Sequence, residues 1–275
     1  MICQLTLEGK DWRFFPDKAI KIGVTLDFNG DQPLHFFASP ARSRPWESDG
    51  FTGSVLKGSS CNVLKMTLIP HCQGTHTECL GHITNETPGI DDILDQSLIP
   101  ALVVSVETIR YGDLKNEHYK PLPSPSERVI SRASLKKALG AVTDLTPSAL
   151  IIRSEDPHRD HPFKHYGKNP EHPAFFTLEA MELICELGVR HLLVELPSVD
   201  RMFDDGMMSN HRIFWGMPDG SVDDRDAKFP FKTITEMIWV PDEVSNGAWM
   251  LNLQIPAFKT DAAPSRPILY PMELM

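Results

Sequence analysis

The chemically richest stretch of this sequence is His71-Cys72-Gln73-Gly74-Thr75-His76-Thr77-Glu78-Cys79-Leu80-Gly81-His82, where three histidines, two cysteines and a glutamate share twelve positions. Imidazole, thiolate and carboxylate groups bind borderline metal ions such as zinc and manganese. In an extended segment, residues two apart point to the same side. His76 and Glu78 can therefore face one ion, with Cys72 or His71 reaching it across a bend at Gly74. Glycine suits such a bend because it adopts backbone angles that other residues resist. The same residue types also occur in surface loops without any chemistry, and cysteine is often a small core residue. The spacing fits neither a zinc finger nor the H-E-x-x-H pattern, so residue types alone leave the reaction open.

Hydrophobic periodicity indicates the elements that must position this stretch. Residues 61–69 read as a strand leading into it. Residues 20–28 alternate loosely and predict another strand, followed by a turn at Asn29-Gly30-Asp31 and a short strand over 34–37. Residues 39–60 are polar and glycine-rich and read as a loop. With Phe37, Trp46 and Phe51, an aromatic segment here is a candidate lid over a substrate. Residues 90–98 suggest a helical turn, and 100–109 and 149–153 are buried strands. A short helix over 134–140 takes Ser131 as its N-cap, and an amphipathic helix over 177–188 takes Thr177. A buried strand over 189–196 follows, so the region 149–196 is a βαβ unit with parallel strands. Late strands are predicted over 233–240, 248–255 and 267–272.

Several polar residues stand out within this frame. Glu236 sits in an otherwise apolar run, where a buried carboxylate needs a charge or metal partner. The segment 198–215 carries Asp200, Asp204, Asp205 and His211. The charged loop 154–173 holds His158, His161, His165 and His172 and reads as a solvated segment rather than a second metal site. Residues 1–19, with Trp12, Phe14 and Phe15, read as a small helix or an arm packing on a partner subunit.

Composition excludes several function classes. The 275 residues are 41% hydrophobic and 23% charged, which is ordinary for a globular protein with a substantial core. A formal charge of -10 argues against nucleic-acid and anionic-membrane partners. No run of about 18 apolar residues predicts a transmembrane helix, and the first residues do not form a signal peptide. Five cysteines are sparse and odd in number, which favours a reducing cytoplasm. No composition shift marks a boundary, so one α/β domain over 1–275 is expected.

The stretch Gly74-Thr75-His76-Thr77-Glu78-Cys79-Leu80-Gly81-His82 resembles the signature of the metal-dependent cyclase family, H-x-G-T-H-x-D-x-P-x-H. That family includes kynurenine formamidases, isatin hydrolases and polyketide-type cyclases. Further likenesses are the strand Ala149-Leu150-Ile151-Ile152-Arg153, the helix and strand over 177–196, the loop Pro197-Ser198-Val199-Asp200, His211 and Glu236. The resemblance implies a mixed β-sheet with flanking helices, the swivelling β/β/α arrangement of cyclase-like proteins. It also implies zinc or manganese held by His76, Glu78, His211 and Glu236, with His82 as the acid–base residue. The implied activity is hydrolysis of an amide, lactam, ester or lactone of a small and often aromatic molecule, as in an arylformamidase. A homodimer or homotetramer follows from the same likeness.

Three departures from the signature bear on that reading. Cys72 stands where the family has its first histidine, with His71 beside it as the alternative ligand. Glu78 replaces a metal-binding aspartate and is one methylene longer. Leu80 replaces a proline. These changes keep two rivals in play: a catalytically inactive binder of small molecules on the same scaffold, and a loop in which the histidines serve only structure.

Overall fold

The continuous apolar runs of the sequence occupy the middle of one large sheet, where side chains are buried on both faces. The computed structural model describes residues 1–85, 89–140, 145–157, 159, 166 and 173–275. The sheet strands are β1 (Cys3–Leu7), β2 (Lys10–Phe14), β3 (Ile20–Lys21), β4 (His76–Glu78), β5 (Ile99–Glu107), β6 (Ala149–Glu155), β7 (His191–Val194), β8 (Thr233–Glu236), β9 (Gly247–Asn252), β10 (Ala262–Pro264) and β11 (Ile268–Leu274). They form an eleven-stranded sheet in the order β1-β2-β11-β9-β5-β6-β7-β8-β4-β10, with β3 beside β11. The four central strands β5, β6, β7 and β8 are mutually parallel. The flanking strands pair antiparallel. The result is a mixed α/β domain, as the sequence predicts.

Alternation along the central strands builds two cores. Leu102, Val104 and Val106 of β5 face the helices and pack with Leu150, Ile152, Leu192 and Val194. Three helices cover that face: α1 (Arg132–Leu139), α2 (Leu178–Glu186) and α3 (Ser209–Trp215). They contribute Leu135, Met181, Ile184, Phe214 and Trp215. On the other face Ala101, Val103, Ile151 and Leu193 meet Ile22, Val240, Trp249 and Leu251. Ile22 ties the two ends of the sheet together there. Its N–H donates to Pro267 O at 3.1 Å, and its carbonyl accepts from Trp239 N at 2.8 Å.

The expected caps are present. Ser131 accepts from Ser134 N, and Thr177 accepts from Ala180 N. The unit β6-α2-β7 is the predicted βαβ crossover with parallel strands.

The N-terminal and lid regions differ from expectation. Residues 3–14 form a β-hairpin, not a helix. Alternating burial in β1 and β2 lets the hairpin extend the sheet edge, with Met272 opposite Phe14. The strand predicted over 20–28 is cut to Ile20–Lys21, because the chain then leaves the ladder to cross toward β8. The strand predicted over 34–37 is instead a turn, with Phe36 and Phe37 at φ of 48° and 57°. The loop expected over 39–60 carries short strands. Arg42–Pro45 pairs with Leu64–Thr67, and Glu47–Ser48 pairs with Phe51–Thr52. His158, His161, His165 and His172 lie outside the described residues. Among the described residues, no helix is long and apolar enough to cross a membrane.

Candidate metal centre

Strand pairing brings the distant polar residues together. β4 lies between β8 and β10, with His76 opposite Glu236 on one side and Pro264 on the other. Because side chains alternate along a strand, His76 and Glu78 share a face. Thr77 points away, and its hydroxyl meets Thr235 Oγ1 at 2.8 Å. Just before β4, a helical turn over Pro70–Cys72 and a bend at Gly74 fold His71 back over the strand. Gly74 has φ of 96°, which a side chain rarely tolerates. Thr75 locks the bend, its hydroxyl donating to Met237 O at 2.6 Å and accepting from Val24 N at 2.9 Å.

His211 comes from α3, and Asp200 sets its place. The Asp200 carboxylate accepts from Asn210 N at 2.7 Å and His211 N at 3.2 Å, and from His211 Nδ1 at 2.6 Å. Tyr119 donates its hydroxyl to the same group at 2.7 Å. Two residues with left-handed backbones flank the centre: Met208 entering α3 at φ 50°, and Met237 directly after Glu236 at φ 54°. Such conformations persist only where surrounding bonds enforce them, and they gather at functional sites.

The inward atoms converge. His211 Nε2 lies 2.9 Å from Glu78 Oε1 and 3.8 Å from Glu236 Oε1. His71 Nδ1 lies 3.1 Å from Glu78 Oε2, and His76 Nε2 lies 3.4 Å from Glu236 Oε2. His82 Nε2 approaches Glu78 Oε2 at 3.8 Å. The outer nitrogens are occupied: His76 Nδ1 donates to Gly74 O at 3.1 Å, and His211 Nδ1 is held by Asp200. An imidazole bound outward to an acceptor presents its other nitrogen's lone pair inward, which is the arrangement a metal ligand needs. His76 Nε2 and Glu78 Oε2 are buried and make no well-directed hydrogen bond, although Glu236 Oε2 and His71 Nδ1 lie 3.4 Å and 3.1 Å from them. Buried polar atoms without a directed bond are uncommon in folded proteins, and a bound ion is one of the partners that accounts for them. The residues therefore fit a divalent ion, and the converging donors are nitrogen and oxygen, which suits zinc or manganese.

Electrostatics point the same way. Burial alone would push His211 down, but Glu78 and Asp200 override it and hold it well above the usual histidine range. Burial would raise Glu78, yet the surrounding histidines His82, His211 and His71 hold its carboxyl well below normal. His71 is opposed by burial and raised by Asp261 and Glu78 to about 10. Without a cation, the buried carboxylates are balanced by protons on the imidazoles.

The structure brings together His71, His76, Glu78, His82, His211 and Glu236. Among the described residues, the groups whose ligand atoms lie within 4.8 Å of one another are His71 with His76 and Glu78, His71 with His82 and Asp261, and Glu78 with His82 and His211; Cys72 is in none of them, and Glu236 approaches only through His76 and His211. Burial raises the Cys72 thiol, which disfavours the thiolate a metal binds. The longer Glu78 is accommodated, since its carboxylate sits among three imidazoles. Phe37 stacks loosely on Phe203, with ring centres 6.5 Å apart. Trp46 and Phe51 are exposed on the hairpins of the 42–67 segment.

Sequence reading missed three participants. Asp200 lay in a quoted loop without a role, and its only signal was its place before α3. Tyr119 gave no signal. Asp261 sits in a proline-containing loop and is recognisable only once β10 is known to pair with β4. Its Oδ2 lies 2.8 Å from His71 Nε2 and 3.5 Å from His82 Nδ1.

Comparison with known proteins gives the following. The sequence profile of the family described as "Putative cyclase" matches residues 20–201. No curated protein matches the chain. Among solved structures, isatin hydrolase A from Labrenzia aggregata bound to benzyl benzoate is similar at 14% identity, covering 92% of this chain and 93% of that one, with a TM-score of 0.61. An isatin hydrolase bound to the product analogue thioisatinate shares 12% identity over 93% of each chain, with a TM-score of 0.60. A metal-dependent hydrolase, described as predicted, from Bacillus stearothermophilus shares 14% identity over 92% of this chain and 98% of that one, with a TM-score of 0.56.

Proposed function

This chain belongs to the cyclase family, and from that membership we propose that it is a metal-dependent hydrolase of a small aromatic amide, lactam, ester or lactone. The observation that carries the reading is the pair of triads that share Glu78, His71 with His76 and His82 with His211, whose ligand atoms lie within 4.8 Å of one another in each triad.

A divalent ion held by His71, His76, Glu78, His211 and Glu236 would supply a Lewis acid and lower the pKa of a water molecule from about 15.7 toward about 7. The protein's own residues do the rest. His82 sits beside this centre with its Nε2 directed toward Glu78. It takes the proton of the attacking water as the oxygen adds to the carbonyl carbon. It returns that proton to the leaving nitrogen or oxygen as the C–N or C–O bond breaks. Proton transfer of this kind contributes roughly 10²–10⁴-fold. The quarter-exposed side chains of His71 and His82 (25% each) mark the solvent side of the cluster, while His76, Glu78 and His211 are closed off.

Substrate preference for an aromatic body is supported by Phe37 and Phe203. Each is carried by a segment that also holds the centre: the N–H of His35, two before Phe37, donates to Cys72 O at 2.9 Å, and Phe203 follows Asp200. Offset aromatic contacts favour flat ligands.

The test is metal analysis of the purified protein, together with a panel of aryl-formamides, lactams and lactones. Bound or loadable zinc or manganese and turnover of at least one class are expected. Protein that takes up neither ion and cleaves nothing after loading overturns the reading. His82→Ala is expected to retain metal while kcat falls by about 10²-fold or more.

A further inference from the structure

We propose that Asp261 is a positioning residue that fixes opposite tautomers on His71 and His82, so that one carboxylate oxygen sets both a metal ligand and the acid–base group. This inference rests on the hydrolase reading of the same centre.

The argument starts from the backbone. Asp261 immediately precedes β10, and its carbonyl accepts from Cys79 N at 3.0 Å, directly after β4. The next residue, Ala262, lies opposite Glu78. Thr260 is held as well, its carbonyl accepting from Ile90 N at 2.9 Å. The Asp261 side chain therefore starts from a fixed point at the solvent edge of the cluster.

Above it, the rings of His71 and His82 stack with centres 4.2 Å apart and planes 27° apart. The two rings present different nitrogens to the same oxygen. His71 offers Nε2 at 2.8 Å, and His82 offers Nδ1 at 3.5 Å. Their remaining nitrogens, His71 Nδ1 and His82 Nε2, both face Glu78 Oε2, at 3.1 Å and 3.8 Å. A carboxylate only accepts, and in the metal-free protein Glu78 Oε2 faces the inner nitrogens as Asp261 Oδ2 faces the outer ones. With an ion engaging Glu78 and the inner nitrogen of His71, Asp261 would remain the acceptor that keeps the proton on His71 Nε2 and on His82 Nδ1, and each ring would turn a lone pair inward. For His71 that lone pair is a metal donor, and for His82 it is the proton acceptor of catalysis. An outward carboxylate that fixes a ligand's tautomer typically changes metal affinity or activity 10–100-fold. Here one such group serves a ligand and its catalytic neighbour together. Asp200 does the same for His211 alone. Asp261 is different because it is shared.

The test uses the full chain loaded with zinc. Nitrogen NMR of the wild type should show His71 protonated at Nε2 and His82 at Nδ1, and the reverse tautomer on either ring overturns the proposal. Asp261→Asn keeps the shape of the side chain and removes its charge. Zinc affinity, read by competition with a chromophoric chelator, should fall about 10–100-fold. At saturating zinc, kcat should also fall, with little change in KM. Unchanged affinity and unchanged kcat in an Asp261→Asn protein whose parent binds zinc and turns over substrate overturn this inference and leave the hydrolase reading standing. A fall in affinity with full kcat at saturating zinc overturns the shared role, since His82 would then not depend on Asp261. A parent protein that takes up no zinc brings down the hydrolase reading and this inference with it.

Discussion

At the scale of single residues, the centre is defined by which nitrogen of each histidine faces inward and what the other one touches. His71 is the most informative. It stands one residue from the family's first-histidine position, which Cys72 occupies, and the bend at Gly74 nevertheless brings its Nδ1 to Glu78. In the absence of metal both of its nitrogens lie against carboxylates, which is why it holds its proton up to about 10. The sign follows directly. A folded-state value above the ordinary 6.5 stabilises the metal-free protein fully below about pH 6.5, and that contribution is lost as pH rises through about 10. A metal ion must expel this proton, so zinc binding near pH 7.5 is expected to release at least one proton. The apparent affinity should keep climbing with pH beyond 7, where an ordinary histidine would already have levelled off. Calorimetry in buffers of different ionisation enthalpy counts the protons. A count of zero would show that His71 is not displaced by the ion.

At the scale of elements, what was legible in the sequence depended on whether the geometry was local. That His76 and Glu78 share a face follows from the two-residue period of a strand, and the structure has it so. The caps at Ser131 and Thr177 and the βαβ crossover are equally local, and they too were legible. The meeting of His76 with Glu236 was legible only through the family resemblance, because it depends on an antiparallel pairing between β4 and β8, and no short-range pattern encodes which strand will lie beside β4. The contribution of Asp261 is hidden for the same reason. The N-terminal hairpin was missed because Trp12 and Phe14 carry too short an alternation to separate strand from helix. Local elements should also be separable in energy from the centre. Thr177→Ala removes the hydroxyl that accepts from Ala180 N at 3.2 Å. It should lower stability by about 1 kcal/mol, read as a lower urea midpoint with an unchanged slope. Zinc content should be unaffected, because α2 packs on the central sheet and contributes no ligand. Loss of zinc in this variant would mean that the centre depends on the whole helical layer.

At the scale of the whole molecule, the centre joins parts of the chain that are far apart in sequence and neighbours in the sheet. His71, His76, Glu78 and His82 come from β4 and its flanks, and Glu236 comes from the end of β8. His211 comes from α3, and Asp261 from the approach to β10. Metal-free protein holds the buried carboxylates of Glu78 and Asp200 here, and they keep the buried His211 imidazole charged well above the usual histidine range. Buried charge of this kind is costly unless paired and hydrogen-bonded. A bound cation would replace the proton and join three segments at once, β4 with its flanks, β8 and α3, and it would bind only the folded state. Linkage then gives about 2.7 kcal/mol of added stability when free metal is 100 times its dissociation constant. For a chain of this length that corresponds to a rise in Tm of roughly 5 °C. Scanning calorimetry of zinc-loaded protein before and after exhaustive chelation should show that difference. His76→Ala, which removes an inward ligand, should abolish it. A melting temperature indifferent to the chelator in the wild type would mean that these side chains hold no ion in solution, and that the contacts of His76 with Glu236 and of His71 with Glu78 serve the fold alone.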